Sequence, residues 1–128
     1  ILRSALHSLD GWVRTGEPPV PMPKLEATAD LSAYLMDANG NVLGGIRTPF
    51  VDVPLAKLSG SGQEGDAFCG LFGTTLGFTP DELRALYPTT QDFVAKWNAS
   101  TDAAVAAGVI LAIDAENIKA AAKNFIIK

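Results

Sequence analysis

Four prolines fall within residues 17–23, Glu-Pro-Pro-Val-Pro-Met-Pro, and no stretch of the chain restricts its fold more. Proline fixes φ and removes an amide donor, so this run is excluded from helix interiors and central strands and must lie extended on a surface. Residues 17–30 therefore read as a connector. Before it, Leu2, Ala5, Leu6, Leu9, Trp12 and Val13 recur at three- and four-residue steps, which predicts an amphipathic helix over residues 1–16. Ser4, His7, Asp10, Gly11 and Arg14 fall on the opposite side, and Gly16 stands where a left-handed cap is expected. No Ser, Thr, Asp or Asn precedes Leu2, and Ile1 is not an initiator Met. The helix is expected to begin in mid-stride, with polypeptide upstream of it.

After the connector, residues 31–37 and 41–47 flank Asp37-Ala38-Asn39-Gly40, whose Asn-Gly supplies the positive φ angles of a tight turn. A β-hairpin is expected there. Residues 48–53 read as a further extended run, limited by Pro49 and Pro54 to an edge, so residues 31–58 form one hairpin-and-extended section. Residues 59–78 hold six of the twelve glycines and read as a glycine-rich loop. Residues 79–128 read as helices. Thr79-Pro80-Asp81-Glu82 supplies a cap, a first-turn proline and a capping-box Glu. Thr89 or Thr90 caps the next helix, whose stripe is Phe93, Val94, Trp97, Thr101, Ala104 and Val105 and which Gly108 ends. Asp114 is expected to cap a last helix with Ile118, Ala121, Ala122 and Phe125 buried and Lys119 and Lys123 outward. The segment is thus mixed α and β, with about four helices, a hairpin and a loop.

Hydrophobic residues make up 48% and charged residues 19%, which separates the chain from disordered compositions. The net charge of -4 comes from scattered carboxylates with no basic stripe, which argues against nucleic acid as a partner. No apolar run approaches the roughly 20 residues of a membrane-spanning helix, and no membrane partner is expected. The single cysteine and single histidine make neither an internal disulfide nor a four-ligand zinc site. One cysteine does not define a compartment.

Two stretches are more particular than the helices: Gly-Gly-Ile-Arg-Thr-Pro-Phe-Val-Asp-Val-Pro-Leu-Ala-Lys-Leu-Ser-Gly at residues 44–60, and Phe-Cys-Gly-Leu-Phe-Gly-Thr-Thr-Leu-Gly-Phe at residues 68–78. Together with residues 6–19 and the closing helices, they resemble the C-terminal part of α/β-hydrolase domain-containing proteins. The resemblance covers nearly the whole chain in the expected order, and Gly-Gly-Ile-Arg-Thr-Pro and Val-Asp-Val-Pro are its specific segments. It implies an α/β parent domain of which residues 1–128 are one C-terminal segment. It also implies that the opening helix follows the catalytic His, so that nucleophile, acid and base all precede Ile1. In that fold the nucleophile sits in a Gly-x-Ser-x-Gly-like elbow between a strand and a helix. This sequence contains no such string, and Ser59-Gly60-Ser61-Gly62 lacks the flanking elements.

His7 must serve any acid–base scheme confined to these residues, yet it falls mid-helix, where a triad His is not oriented, and reads as a surface residue. Cys69 would need a base to act as a thiolate, and none is supplied, so it reads first as a small buried hydrophobe. Arg47 fits either a bidentate clamp on a substrate carboxylate or a structural ion pair. Arg47, Asp52 and Cys69 are the candidate substrate-contacting residues, and no catalytic residue is assigned. Trp12, Phe93 and Trp97 fit core stripes. The pairs Glu64/Asp66 and Asp81/Glu82 lack partners at metal-ligand spacing, so no metal or cofactor is proposed.

The leading expectation is the C-terminal part of a serine hydrolase acting on a small ester or amide, partnered by the remainder of the hydrolase domain or a second chain. The alternative is a non-catalytic interaction module or structural subunit. A self-contained thiol enzyme built on Cys69 and His7 is the third.

Overall fold

A computed structural model describes residues 1–60, 63 and 65–127. Ser59-Gly60-Ser61-Gly62 and the Glu64/Asp66 pair therefore lie partly outside the described residues. Among the described residues, five α-helices, α1 (Leu2–Thr15), α2 (Pro49–Asp52), α3 (Pro80–Leu86), α4 (Thr90–Ala106) and α5 (Ala112–Ala122), accompany two strands, β1 (Ala56–Ser59) and β2 (Thr74–Gly77).

The core lies between α4, α5 and the residues around α2. Val53, Tyr87, Phe93, Trp97 and Ala122 form its centre, with Leu55, Leu86, Ile118 and Phe125 packed around it. Phe93 meets Tyr87, Trp97 and Phe125 at ring-centroid distances of 5.2, 5.5 and 5.4 Å, which are favourable aromatic separations. Ile118 also packs on a second cluster of Ala104, Val109 and Ile110, so α5 joins both. Capping boxes start two helices, Thr79 with Glu82 and Thr89 with Asp92. Each satisfies orphan amides reciprocally and sets the helix start. Asp114 does not cap α5. Leu111 precedes that helix without a side-chain cap, and Asp114 stands in the first turn, paired with Arg3. A carboxylate there still favours the macrodipole, which is why it resembles a cap in sequence.

Helix α1 is capped by Gly16 at φ 76°, whose N–H donates to the Trp12 carbonyl. Its polar side, not its apolar one, meets the rest of the described residues. Ser4, on the side opposite the apolar face, is the buried residue, and its hydroxyl donates to the Gly108 carbonyl. Leu2, Leu6, Leu9 and Val13 are exposed, and Trp12 is 47% exposed where Trp97 is 4% exposed. Trp12 is thus not a core residue.

The expected hairpin forms, joined by a single antiparallel bridge from Met36 to Val42, and bridges from Leu25 to Gly44 and Ala27 to Tyr34 bring a third segment against it. The end of the proline-rich connector supplies one of the three segments. The turn at Asp37 has a three-residue loop rather than the two-residue form, with Asp37 N–H donating to Asn41 O at 2.8 Å. Only Gly40 takes the left-handed conformation, at φ 76°. This is the type I turn with a following left-handed residue, and the Asp37 side chain selects it by accepting the Asn39 and Asn41 amides, each at 2.9 Å.

Residues 48–53 are not an extended run. Thr48 is extended, Pro49 takes the first helical position, and one turn of helix follows. Proline is preorganised for that position, so Thr-Pro is a helix start as readily as a strand break. The glycine-rich stretch also holds regular structure. β2 pairs antiparallel with β1 from Ala56 opposite Gly77 to Ser59 opposite Thr74, and Cys69–Leu71 forms one 3-10 turn. Gly73 permits the close approach, since a Cβ there would stand 2.4 Å from the Ser59 carbonyl oxygen.

Candidate functional site

The polar centre of the molecule is Arg47. Its guanidinium donates to the Asp52 carboxylate through Nε, to the Val42 carbonyl at 2.6 Å and to Asp37 Oδ2 at 2.9 Å. These partners come from the α2 turn, the third bridged segment and the hairpin turn, so one planar fork fastens three pieces of backbone that share no regular sheet. Burial opposes ionisation of Asp37, but the Asn41 amide, the Arg47 guanidinium and the Asn39 amide outweigh it and hold the carboxyl below its usual range. Burial likewise works against the charge on Arg47, and the two carboxylates more than restore it.

Two adjoining glycines place Arg47. Gly44 and Gly45 both have positive φ, 71° and 68°. A Cβ at Gly44 would lie 2.4 Å from the Lys24 carbonyl oxygen and one at Gly45 would lie 2.5 Å from Leu25 Cδ2. Only glycine fits both the backbone conformation and the space. Asn41 completes the frame. It is 1% exposed, its Oδ1 accepts the Leu58 amide at 2.8 Å, and its Nδ2 donates to the Ala56 carbonyl at 3.4 Å. That ties the turn to β1. The string Gly-Gly-Ile-Arg-Thr-Pro is thus accounted for by folding: two left-handed glycines, a three-way guanidinium and a proline-started helix.

Two grooves flank this frame. One, of about 420 Å³, runs along β1 and β2 beside Val42 and Val51. The other, of about 670 Å³, lies between residues 20–23 and α4, with Glu26, Arg47 and Asp52 as its charged residues. Arg47 lines both. The structure therefore brings Arg47 and Asp52 together and leaves Cys69 apart, since Cys69 lines neither groove. Cys69 is exposed, which corrects the buried-hydrophobe reading. It sits in an apolar tip with Phe68 and Phe72, whose rings meet edge-on at 5.3 Å. Too few large side chains surround that glycine-rich segment to cover a thiol.

His7 lies exposed on α1 and has no hydrogen-bond or ion-pair partner among the described residues. The described residues also hold no group of three His, Cys, Asp or Glu side chains placed to bind a metal ion. No helix among them is long and apolar enough to cross a membrane. What the arrangement offers chemically is a rigid, charge-paired frame beside apolar grooves, with no oriented nucleophile and base among the described residues.

Helices gathered on a core and a short antiparallel sheet make a mixed α and β fold. The family model for the α/β-hydrolase domain matches residues 1–120, and the chain belongs to that family. Among curated proteins and among solved structures nothing matches.

Asn41 and Asp37 are the residues that sequence reasoning passed over. The signal for Asp37 is its place at the first position of an Asp-x-Asn-Gly turn, where a carboxylate bonds amides two residues on. For Asn41 no local signal exists, because its partners lie 15 and 17 residues away.

Proposed function

We propose that this chain is the non-catalytic C-terminal part of an α/β-hydrolase domain that cleaves a small ester or amide by acyl transfer to a serine. Nucleophile, acid and base come from polypeptide outside residues 1–128. The observation that carries this reading is the condition of the single histidine: it is exposed, unpaired among the described residues and mid-helix, whereas an acyl-transfer base needs an orienting acid and a nucleophile within hydrogen-bond reach. The open apolar side of α1 supports it too, because a helix of an α/β domain turns such a face toward a sheet. The covering partner is the remainder of the hydrolase domain or a second chain.

Within that domain Arg47 serves as a frame for the pocket wall rather than as a substrate clamp, since Nε, NH1 and NH2 all have intramolecular partners. Asp52 remains a substrate-facing group, with its side chain 40% exposed beside the larger groove. Cys69 contacts substrate only from its separate tip.

The test is hydrolysis of p-nitrophenyl acetate by the 128-residue chain. We expect no rate above buffer, and none that His7→Ala or Cys69→Ala alters. A rate above buffer that either substitution abolishes would place the chemistry here and restore the thiol-enzyme reading. The exposed α1 face also suits a non-catalytic interaction module, which differs in predicting that the whole protein has no reactive serine.

A further inference from the structure

The two edges of the β1–β2 sheet are finished differently. The Phe78 amide donates to the Leu55 carbonyl at 3.0 Å, with Leu76 opposite Lys57 and Thr74 opposite Ser59. Backbone groups alternate sides along an antiparallel strand, so residues 74, 76 and 78 turn theirs to β1, and Thr75 and Gly77 turn theirs away from it. On β1 the outward groups are those of Ala56 and Leu58. The Asn41 side chain takes both, donating to the Ala56 carbonyl and accepting the Leu58 amide. Asn41 thus closes that edge as a short strand would.

The β2 edge has no such plug. Thr75 and Gly77 are exposed, and their outward amides and carbonyls have no partner among the described residues. A Cβ on Gly77 would meet nothing within 4 Å, so room for another strand lies beside it. Edges are ordinarily guarded by charge, proline, a bulge or a covering segment. β2 reads Thr-Thr-Leu-Gly, and residues 67–78 carry no charged side chain. The net charge of -4 opposes contact between copies elsewhere, whereas along this uncharged stretch they approach at little electrostatic cost.

We propose that β2 pairs antiparallel with β2 of a second copy of this chain, about a twofold axis at Leu76. In that register Thr75 of each copy exchanges amide–carbonyl bonds with Gly77 of the other, so every outward group of the strand is bonded. The register is self-complementary, as a twofold contact requires, and the two-stranded sheet doubles. Leu76, 69% exposed, meets its counterpart across the axis at a non-hydrogen-bonded position, where Cα atoms lie about 4.5 Å apart. The contact is small, so the pair is weak and forms with concentration. It uses no residue of the acyl-transfer reading.

Disulfide trapping and sedimentation of the protein test it. In a Cys69→Ser background, the thiol of Leu76→Cys links to that of a second copy on mild oxidation, mapped by mass spectrometry, because that Cα separation suits a disulfide. The thiol of Lys57→Cys, about three strand spacings from its counterpart, does not link. Thr75→Pro removes an outward amide that bonds nothing within the chain, so the β1–β2 pairing is retained. The dimer dissociation constant seen in sedimentation rises about tenfold, the scale of two lost backbone bonds. Circular dichroism checks that this variant is folded; if it is not, the crosslink alone decides. A Leu76→Cys thiol that stays unlinked in concentrated protein, whether free or shielded from a thiol reagent by other residues of the protein, would overturn the proposal. Equal linking by Lys57→Cys, or a dissociation constant indifferent to Thr75→Pro, would do the same.

Discussion

At the residue scale, Arg47 illustrates how a charged side chain becomes a structural one. Its side chain is 23% exposed, and its partners Asp37 and Asp52 are 16% and 40% exposed, so the cluster is neither a surface ion pair nor a dry one. Removing the guanidinium takes a donor from two carboxylates, Asp37 and Asp52, and from the Val42 carbonyl. Arg47→Ala should therefore lower unfolding stability by about 2 kcal/mol in urea titration, and Arg47→Lys should recover only part, because a point charge cannot serve three acceptors in a plane. Retention of full stability by Arg47→Ala would show the fork to be incidental. Asp37 gives this cluster a pH signature. Its folded value lies below the ordinary 3.8, so its contribution is complete above that value and is lost as pH falls through the lower one.

Tyr87 acts in the other direction. Burial pushes its hydroxyl up to about 12 from 10.0, while the O–H donates to the Pro54 carbonyl at 2.9 Å. A raised acid favours the protonated folded state, so its contribution is complete below pH 10 and declines as pH rises toward 12. Melting temperature followed across that window should fall more steeply for the native chain than for Tyr87→Phe. Parallel curves would show that the ring is not held as described.

At the scale of elements, α4 is the helix whose pattern, caps and packing agree. Phe93, Trp97, Thr101 and Ala104 are its buried residues, and Trp97 Nε1 also donates to the Ile118 carbonyl at 2.9 Å. Trp97→Ala should cost about 3–5 kcal/mol, as loss of a large buried ring does. His7→Ala, on the open helix α1, should change stability by less than about 0.5 kcal/mol. Similar losses in denaturant titration would mean that the two helix faces are misassigned.

Those two helices also mark what a sequence conveys. Period, caps and turn residues are local, so α1, α3 and α4 were legible from residues within a few places of one another. Which side of α1 meets the rest of the molecule was not, because Ser4 and Arg3 find Gly108 and Asp114 more than a hundred residues away. The pairing of β1 with β2 was hidden for a similar reason: it depends on Gly73 approaching Ser59 across an intervening loop. Thr48-Pro49 carried a helix start in plain view, but a four-residue helix has too little period to be distinguished from an edge strand. At the candidate site, Arg47 and Asp52 were legible as a pair of interest. Glu26 and Asn41 were not, since only the folded chain brings them to the same frame.

At the scale of the whole molecule, the exposed apolar side of α1 and the absence of a parallel sheet among the described residues sit together with membership of the α/β-hydrolase family. A single apolar side chain on a surface is ordinary, but five on one helix face form a patch of the kind that marks an interface. In our reading that face packs on the catalytic part of the domain, and the 128 residues furnish a framed wall rather than the reacting groups. The most direct measurement is to treat the intact protein with a fluorophosphonate, which phosphonylates an activated serine, and to map the labelled peptide by mass spectrometry. The account predicts one labelled serine, outside residues 1–128. Label on Ser4, Ser8, Ser32, Ser59, Ser100 or any other serine of this chain, or no labelled serine at all, would contradict it.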